Sequence, residues 1–364
     1  MLEILVYSFV ASFVCAILLV RYKHLHGRFT MDQDTSGVQK FHRTPVPRIG
    51  GVPVIIGFIV TLLIARIKWS DTYVWLLLIA ALPAFIAGFI EDITKKVGPM
   101  PRLLATFVAA GLGFWLLNAG LDRLSLPGVD DILRQYWFIS LVVTIIAVGG
   151  IAHALNIIDG YNGLASMVAI LIFLSLAYVS YKVQSPVLCG VSLGMAGAIG
   201  GFFVLNFPKG LIFFGDGGAY LVGFLIAEIS VLLVASHSEV SPWFPMLLVI
   251  YPVMETLFSV YRKKFIRKMS PGLPDGLHLH MLIYKRLVRW MIGSHEAKDI
   301  TGRNSMTSPY LWALSSLSVV PACLFWDKTY VLMFFCALFM IGYVCVYIML
   351  VRFKTPKWLI IRKK

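Results

Sequence analysis

Residues 136–165 read YWFISLVVTIIAVGGIAHALNIIDGYNGLA. Residues 136–155 are apolar apart from isolated polar side chains, and about 20 such residues are what an α-helix needs to cross the hydrocarbon core of a bilayer. A polar turn with Asn156, Asp159 and Asn162 follows at once. The stretch therefore predicts a membrane-spanning helix that delivers an acid and two amides to one surface of the membrane.

Long apolar runs of this kind recur along the whole chain. Of its 364 residues, 59% are hydrophobic and 14% are charged, whereas a typical soluble domain is about 25% charged. This composition argues strongly against a soluble domain, a disordered chain and a nucleic-acid-binding protein, and the continuous runs disfavour a β-barrel. We expect one all-α, polytopic transmembrane bundle over residues 1–364, with about eleven spans by the length rule. The predicted spans are 1–20, 49–67, 72–90, 103–119, 136–155, 163–181, 187–205, 219–235, 244–260, 309–326 and 330–351.

Lys and Arg residues predict the orientation of the bundle. If the N-terminus lies outside, 26 of the 32 basic residues fall on the cytoplasmic side, as the positive-inside rule requires, and the C-terminus lies inside. The first span carries Glu3 and precedes its basic residues, so we expect a reverse-oriented anchor rather than a cleaved signal peptide. The segments expected to build the cytoplasmic face are 21–48, 91–102, 153–162, 206–218 and 261–308, with 352–364 as a basic interfacial tail.

Acidic side chains collect at the predicted cytoplasmic ends of the spans. The clusters are Glu91 and Asp92 after the third span, Asp159 after the fifth, Asp216 before the eighth, and Asp275, His278 and His280 in the large loop. Each also has a plain structural reading, as a polar helix stop, a tight turn, an interhelical loop or an incidental histidine pair. Glu228 and Glu255 lie within spans, and the pattern leaves open whether they pair structurally or line a site.

Acids, amides and histidines on one basic membrane surface together suggest chemistry on phosphates. Mg²⁺ binds through one or two carboxylates and substrate phosphate oxygens, and Lys, Arg and His supply donors to the remaining oxygens. The glycines around Asp216 leave backbone N–H groups open beside a helix start, where a metal-binding acid fits. An amphiphilic second substrate would explain why such a reaction takes place on a membrane bundle.

Five motifs extend this interpretation. In chain order they are FHRTPVPRIGG (41–51), EDITKK (91–96), NIIDGYNGLA (156–165), Asn206 with GDGG (215–218), and PDGLHLH (274–280). Their sequence and order resemble those of the polyprenyl-phosphate N-acetylhexosamine-1-phosphate transferases, glycosyltransferase family 4. The resemblance covers roughly His42 to Arg286.

The resemblance implies a transfer of sugar-1-phosphate from a UDP-N-acetylhexosamine to undecaprenyl phosphate or another polyprenyl phosphate, with release of UMP and a requirement for Mg²⁺ or Mn²⁺. It implies that Asp216 ligates the metal, that Asp92 orients or deprotonates the lipid phosphate, and that Glu91 and Asp159 are catalytic. The implied substrate-binding residues are His42, Arg43, Asn156, Asn162, Asn206, Asp275, His278 and His280. It also implies a bacterial inner membrane protein with a cytoplasmic site, contacts with membrane lipid and none with nucleic acid. Monomer and homodimer both stay open, as do one-step and two-step mechanisms.

The sequence departs from the family pattern at three places, and the third bears on the substrate. Glu91 stands where the first acid of the pair is usually Asp, and Asn162 where a second acid is usual. HLH replaces the HHH run of the peptidoglycan enzyme, which argues against a MurNAc-pentapeptide substrate. The PGLPDGLHLH form (271–280) is more similar to the group that starts O-antigen or capsule chains, with GlcNAc, GalNAc, FucNAc or QuiNAc as the sugar.

Three other functions are alternatives to this one. A transporter or flippase of a lipid-linked sugar would bury ionisable groups near the bilayer midplane, whereas here the acids collect at one surface apart from Glu228 and Glu255. A CDP-alcohol phosphotransferase would carry DGxxAR, but Tyr, Asn and Gly follow Gly160. A non-catalytic homologue is the third alternative, suggested by Glu91 and Asn162.

Overall fold

Helices make up most of the molecule. A computed structural model describes residues 1–32, 45–71, 73–268, 270, 276–288 and 297–352. The helices are α1 (Leu2–Arg21), α2 (Lys23–Thr30), α3 (Gly51–Trp69), α4 (Val74–Thr94), α5 (Pro99–Leu117), α6 (Val129–Gln135), α7 (Trp137–Ile158), α8 (Leu164–Lys182), α9 (Pro186–Asn206), α10 (Gly215–Ser236), α11 (Trp243–Leu248), α12 (Ile250–Tyr261), α13 (Leu279–Ile283), α14 (Ala297–Leu324) and α15 (Thr329–Val351). Two π-helical segments, Arg262–Ile266 and Tyr284–Val288, continue α12 and α13. The all-α fold predicted from the sequence is confirmed.

Nine of the described helices are long and apolar enough to cross a membrane, namely α1, α3, α4, α5, α7, α8, α9, α10 and α15. The chain is therefore a polytopic membrane protein. Predicted span 244–260 divides at Val249, because Pro252 has no N–H to donate to the carbonyl of Leu248. Predicted span 309–326 is the later part of α14, whose polar first turns extend the helix beyond the apolar run.

Helix α10 is the centre of the bundle. Within its most apolar window 89% of the residues are buried, against 22% for α1. It packs between α4 and α7, while α1 lies against α9 and α3 at the side. Glycine allows the close approach of α1 to α9, since a Cβ on Gly197 would lie 2.2 Å from the carbonyl oxygen of Leu5. Helix α10 is thus held by neighbouring helices on two sides.

A short strand pair brings the first motif to the start of α10. Strand β1 (Met31–Asp32) pairs antiparallel with β2 (Val46–Pro47). The N–H of Phe213 donates to the carbonyl of Pro47 at 2.9 Å, and the N–H of Gly50 donates to that of Phe213 at 2.9 Å. These bonds hold Arg48, which lies between Pro47 and Gly50, beside the loop that enters α10.

Some predictions fall outside the described residues. These are the sites at His42, Arg43 and Asp275 and the tail 352–364 beyond Arg352. The predicted loop 261–308 is partly helical where it is described, since it contains α13, both π-helical segments and the start of α14. Residues 279–288 in that loop are mostly buried against the bundle.

Candidate active site

Asp92 joins the end of α4 to the start of α10. Its Oδ1 accepts a hydrogen bond from the N–H of Asp216 at 2.8 Å, and its Oδ2 accepts one from the N–H of Gly217 at 2.9 Å. The first N–H groups of a helix have no partner within it, and a carboxylate there also offsets the helix dipole. Asp92, only 1% exposed, therefore anchors the helix that carries Asp216.

Glycines let these backbones meet. A Cβ on Gly88 of α4 would lie 2.5 Å from the backbone nitrogen of Gly217. Gly215, the first residue of α10, has φ of +76°, a conformation that L side chains rarely adopt. The GDGG motif thus sets the position of Asp216 through backbone geometry as well as through its acid.

Asp216 lies among cations and an amide. Its Oδ1 accepts hydrogen bonds from Asn156 Nδ2 at 3.1 Å and from Arg48 Nη2 at 3.4 Å. Its Oδ2 forms an ion pair with Arg102, which the first turn of α5 presents. Arg48 Nη2 also lies 3.7 Å from Asp92 Oδ1. Residues of three separate segments therefore converge on the carboxylate of Asp216.

Asp159 lies just beyond the end of α7, one helical turn from Asn156. Burial raises the pKa of its carboxyl from 3.8 to about 7, because the ionised form loses hydration, although the positive charge of Arg48 acts in the opposite direction. The group is thus poised to change charge near neutral pH.

Glu91 is the partly exposed member of the acidic pair. Its Oε2 accepts a hydrogen bond from the N–H of Val97 at 2.7 Å, which closes the turn between α4 and α5. Asp92 faces the bundle while Glu91 faces the cavity described below. The two neighbouring acids therefore have separate surroundings.

Asn206 and Asn162 fasten loops to one another. Asn206 Oδ1 accepts from the N–H of Gly163 at 2.6 Å, and its Nδ2 donates to the carbonyl of Ile212 at 2.8 Å. Asn162 Nδ2 donates to the carbonyl of Pro208 at 3.3 Å, while the N–H of Asn162 donates to Asn304 Oδ1 at 2.7 Å. Both side chains border the cavity and also hold its loops together.

His278 and His280 converge on Glu255, a buried acid of α12. Their Nδ1 atoms lie 3.3 Å from Glu255 Oε2 and Oε1 respectively. The two rings are stacked, with centroids 5.1 Å apart and planes 5° apart. Tyr161, next to the Asp159 turn, meets the His280 ring edge-on at 5.7 Å between centroids. This contact joins the histidine loop to the loop after α7.

A cavity of about 440 Å³ brings these groups together. It is polar and lies where the ends of α4, α7 and α9 meet the start of α10. Apart from Asp92, which lies behind the start of α10, every candidate site residue within the described ranges lines it. The lining includes the polar and charged side chains of Arg48, Glu91, Arg102, Asn156, Asp159, Asn162, Asn206, Asp216, His278 and His280.

Comparison with known proteins shows that part of this chain is similar to a known family. The family model described as "Glycosyl transferase family 4" matches residues 74–234. A relative from Bacillus subtilis, named as a probable undecaprenyl-phosphate N-acetylglucosaminyl 1-phosphate transferase, is 25% identical over 68% of this chain and 68% of its own length. A phospho-N-acetylmuramoyl-pentapeptide-transferase from Lactobacillus gasseri is 27% identical over 78% of this chain and 94% of its own length. A protein of that same name from Bacillus cytotoxicus is 28% identical over 57% of this chain and 66% of its own length.

Over residues 74–234 the chain is similar to glycosyl transferase family 4. The family resemblance inferred from the motifs is thereby confirmed. The matched region runs from the first residue of α4 into α10, so it contains the acidic pair, the Asn156 to Asn162 loop and the Asp216 motif. The motif at Arg48 and the histidine pair lie outside it, and they reach the same cavity in the structure.

Four residues that line this cavity or contact its lining residues were absent from the predicted site. Arg48 and Arg102 lie inside or next to the first two motifs, and their proximity to predicted acids was the available signal. The sequence shows Glu255 only as an acid within a predicted span and leaves its role open. Nothing in the sequence marks Tyr161 as a site residue except its place between Gly160 and Asn162. The structure resolves the role of Glu255 in favour of pairing with the two histidines.

Proposed function

We propose that this protein moves N-acetylhexosamine-1-phosphate from a UDP-sugar to undecaprenyl phosphate or another polyprenyl phosphate. The observation that carries the proposal is the shared cavity, in which carboxylates, Arg48 and two histidines from the five motifs meet together with Arg102. Two anionic phosphates can approach one another only if their charge is offset, and Arg48 and Arg102 provide positive charge beside Asp216. The names of the relatives support the same reaction class.

The proposed reaction is a phosphoryl transfer with a simple balance of bonds. An oxygen of the lipid phosphate forms a bond to the β-phosphorus of the UDP-sugar. The bond from that phosphorus to the oxygen bridging the α-phosphate breaks, and UMP leaves with the bridging oxygen. A phosphate monoester has a second pKa of about 6, so near neutral pH the acceptor needs positioning more than deprotonation. Asp159 and Glu91 line the cavity where the acceptor would be oriented.

Mg²⁺ or Mn²⁺ fits the donors on this wall of the cavity. Mg²⁺ in phosphate-processing sites takes one or two protein carboxylates and leaves other positions to phosphate oxygens and water. Asp216, with Asn156 and Asp159 lining the same cavity, offers oxygen ligands of that kind. We propose that Asp216 holds the ion. When bound, the ion would offset the negative charge that develops between the phosphates.

The donor sugar is the finer part of the proposal. HLH in place of an HHH run favours a UDP-N-acetylhexosamine over UDP-MurNAc-pentapeptide, and we propose a role in starting a lipid-linked surface polymer such as O-antigen or capsule. Relatives with both kinds of name match the chain, so both donors belong in the test. We further propose a bacterial inner membrane location with the cavity facing the cytoplasm, on the distribution of basic residues.

Release of UMP by purified protein tests the proposal. The protein is incubated in detergent with undecaprenyl phosphate, Mg²⁺ and each donor in turn: UDP-GlcNAc, UDP-GalNAc, a UDP-6-deoxy-HexNAc and UDP-MurNAc-pentapeptide. We expect UMP release with at least one UDP-HexNAc, loss of release with EDTA, and at least a hundredfold loss in Asp216→Asn. A folded protein that releases no UMP from any donor would favour a transporter or a non-catalytic homologue instead.

A further inference from the structure

Glu255 lies close to four nitrogen atoms of the three residues His278, Leu279 and His280. Its Oε2 accepts from the N–H of Leu279 at 3.2 Å and lies 3.3 Å from His278 Nδ1. Its Oε1 accepts from the N–H of His280 at 3.3 Å and lies 3.3 Å from His280 Nδ1. The carboxylate is buried, with its side chain 0% exposed. One acid on α12 therefore meets both the backbone and the rings of the histidine loop.

This arrangement determines how the rings face the cavity. Nε2 lies across an imidazole ring from Nδ1, so a ring that turns Nδ1 toward Glu255 turns Nε2 away from it. The Nε2 of His280 points toward the loop after α7, since a Cβ placed on Gly160 would lie 3.6 Å from that atom. Gly160 and both histidines line the cavity. Glu255 thus lies on the Nδ1 side of both rings, and for His280 this is the side away from the loop after α7.

We propose that Glu255 is a positioning residue that fixes His278 and His280, through their Nδ1 atoms, so that the Nε2 atoms meet oxygens of the anionic sugar-nucleotide donor. This inference rests on the proposed function for the identity of the donor, whereas the geometry of the three side chains is independent of it. An acidic partner on the far nitrogen fixes the tautomer and orientation of an imidazole, in the way that outer-shell carboxylates do for catalytic and metal-bound histidines. Glu255 would act without touching the substrate.

Two other roles compete with this one. The three side chains form a group of His and acid ligand atoms within 4.8 Å of one another, which could hold a metal ion such as Zn²⁺. Both oxygens of Glu255 already accept backbone N–H groups, and Oε1 also forms a hydrogen bond with His280 Nδ1. Together with His278 Nδ1, which lies 3.3 Å from Oε2, these contacts favour protons over a metal between the side chains. The second competing role is simple stabilisation of a buried loop.

Glu228 provides a matched control. It is a second fully buried glutamate, on the central helix α10, at 0% exposure. Neither of its carboxylate oxygens has a hydrogen-bond partner among the described residues. Replacement by Gln removes a buried acid in both cases, but only at position 255 does it disturb the histidines.

Steady-state kinetics test the proposal with Glu255→Gln and Glu228→Gln. The Gln side chain has one terminal atom that cannot accept, so one N–H group and one ring lose their partner. We expect the KM for the UDP-sugar to rise about tenfold or more in Glu255→Gln, in the range seen when outer-shell partners are removed. The KM for undecaprenyl phosphate should change less than twofold, and Glu228→Gln should match the wild type within twofold. An equal rise of both KM values, or no rise in either, would overturn the proposal.

A double-mutant cycle separates positioning from simple stabilisation. If Glu255 acts through the histidines, adding Glu255→Gln to a His278→Ala, His280→Ala protein should cost less than twofold in kcat/KM. Independent, multiplicative losses would show that Glu255 acts by another route. Zinc titration is run on wild type and Glu255→Gln. Stoichiometric Zn²⁺ held by the wild type and lost in the variant would overturn the proposal in favour of a metal site.

Histidine NMR keeps this test separate from that of the proposed function. With ¹⁵N-labelled histidine, the signals of His278 and His280 are assigned by their loss in single alanine variants. We expect protonated Nδ1 on both rings in the wild type, and exchange between tautomers in Glu255→Gln. If no donor supports UMP release, the proposed function fails while this spectrum still decides the role of Glu255. Identical spectra in the two proteins would overturn it.

Discussion

Asp92 and Asp216 act at the start of the same helix in different ways. Asp92 accepts the N–H groups of Asp216 and Gly217 with both oxygens, whereas Asp216 turns its carboxylate to Asn156 and the two arginines. Asp92 therefore anchors the start of α10, in addition to the role toward the lipid phosphate that the family resemblance implies. Asp216 is the residue at which charge itself matters, because it can pair with a metal ion or with the arginines.

Substitution by Asn should separate these roles. Asp92→Asn leaves one buried N–H of α10 without an acceptor, which costs about 1–3 kcal/mol. We expect its melting temperature to fall by several degrees and its activity to fall as well. Asp216→Asn keeps an acceptor for Asn156 and should melt within about two degrees of the wild type while losing transfer. Thermal melts of both proteins in the same detergent provide the measurement, and equal destabilisation would contradict the assignment.

Asp159 makes stability depend on pH in a predictable direction. Its folded pKa, about 7, lies above the ordinary value of 3.8, so the unfolded chain releases this proton more easily than the folded protein does. The favourable contribution is complete below about pH 4 and is lost as the pH rises through about 7. Relative to Asp159→Asn, wild-type protein in EDTA should therefore melt progressively lower from pH 5 to about pH 7 and change little at higher pH. A difference that stays constant or has the opposite sign would contradict the burial of this acid.

Sequence reasoning at the residue scale found the cavity but not its internal pairs. The candidate side chains of four motifs line it, because polar residues at the ends of spans have one surface on which to meet. The pairs that fix them join distant segments, such as Arg48 with Asp216 or Asn162 with Asn304. Local spacing contains no information about such pairs. The structure also explains why an Asn stands at position 162. Its side-chain Nδ2 donates to the carbonyl of Pro208 and to Ser305 Oγ, and a carboxylate could not donate these hydrogen bonds.

At the scale of elements, the closeness of α4 and α10 controls the site. Gly88 lies where these helices touch, and the atoms nearest to a Cβ there are all backbone atoms of Asp216 and Gly217. Since backbone cannot move aside as a flexible side chain does, a methyl group must push the helices apart. That shift would displace Asp92 from the N–H groups that it accepts.

Alanine substitution tests this contact. Gly88→Ala should lower the melting temperature by several degrees and reduce transfer at least tenfold. Gly150→Ala on α7 is the matched control, because nothing lies within 4 Å of its Cβ position and an alanine in a helix interior is intrinsically favoured. It should be neutral or slightly stabilising. Equal behaviour of the two variants would show that α4 and α10 are not held by this close approach.

Hydropathy predicted the existence of the long helices better than their ends. The length rule measures the apolar run, whereas a helix continues while its backbone bonds continue. This explains why α14 starts at Ala297, well before predicted residue 309, and why α7 extends to Ile158. The break before α12 follows from the missing N–H of Pro252, a local effect that an average over apolar residues conceals.

At the scale of the whole molecule, the basic residues predict which side of the membrane the cavity faces. The cavity lies at the end of the bundle where α4 ends and α8 begins, and Lys182 lies at the other end of α8. A helix of 19 residues is about 28 Å long, close to the thickness of the hydrocarbon core. Residues 95 and 182 should therefore lie on opposite sides of the membrane, with 95 in the cytoplasm if the basic residues orient the chain.

Cysteine labelling measures this directly. In a protein with its five native cysteines replaced, single cysteines at 95 and 182 are exposed to a membrane-impermeant maleimide. We expect 182 to react in intact spheroplasts and 95 only after permeabilisation. The reverse pattern would place the cavity on the outer face, away from UDP-sugars, and would contradict both the orientation and the proposed chemistry.

The central claim, that a sugar and its phosphate move together, is tested most directly by following the β-phosphorus. A UDP-HexNAc that the protein accepts, labelled with ³²P at the β-phosphate, is incubated with undecaprenyl phosphate, Mg²⁺ and protein, and the organic phase is counted. The account predicts that β-³²P enters the lipid together with the sugar, that a label at the α-phosphate stays in water as UMP, and that Asp216→Asn abolishes both results. Sugar in the lipid without β-³²P, or no label in the lipid at all, would contradict it.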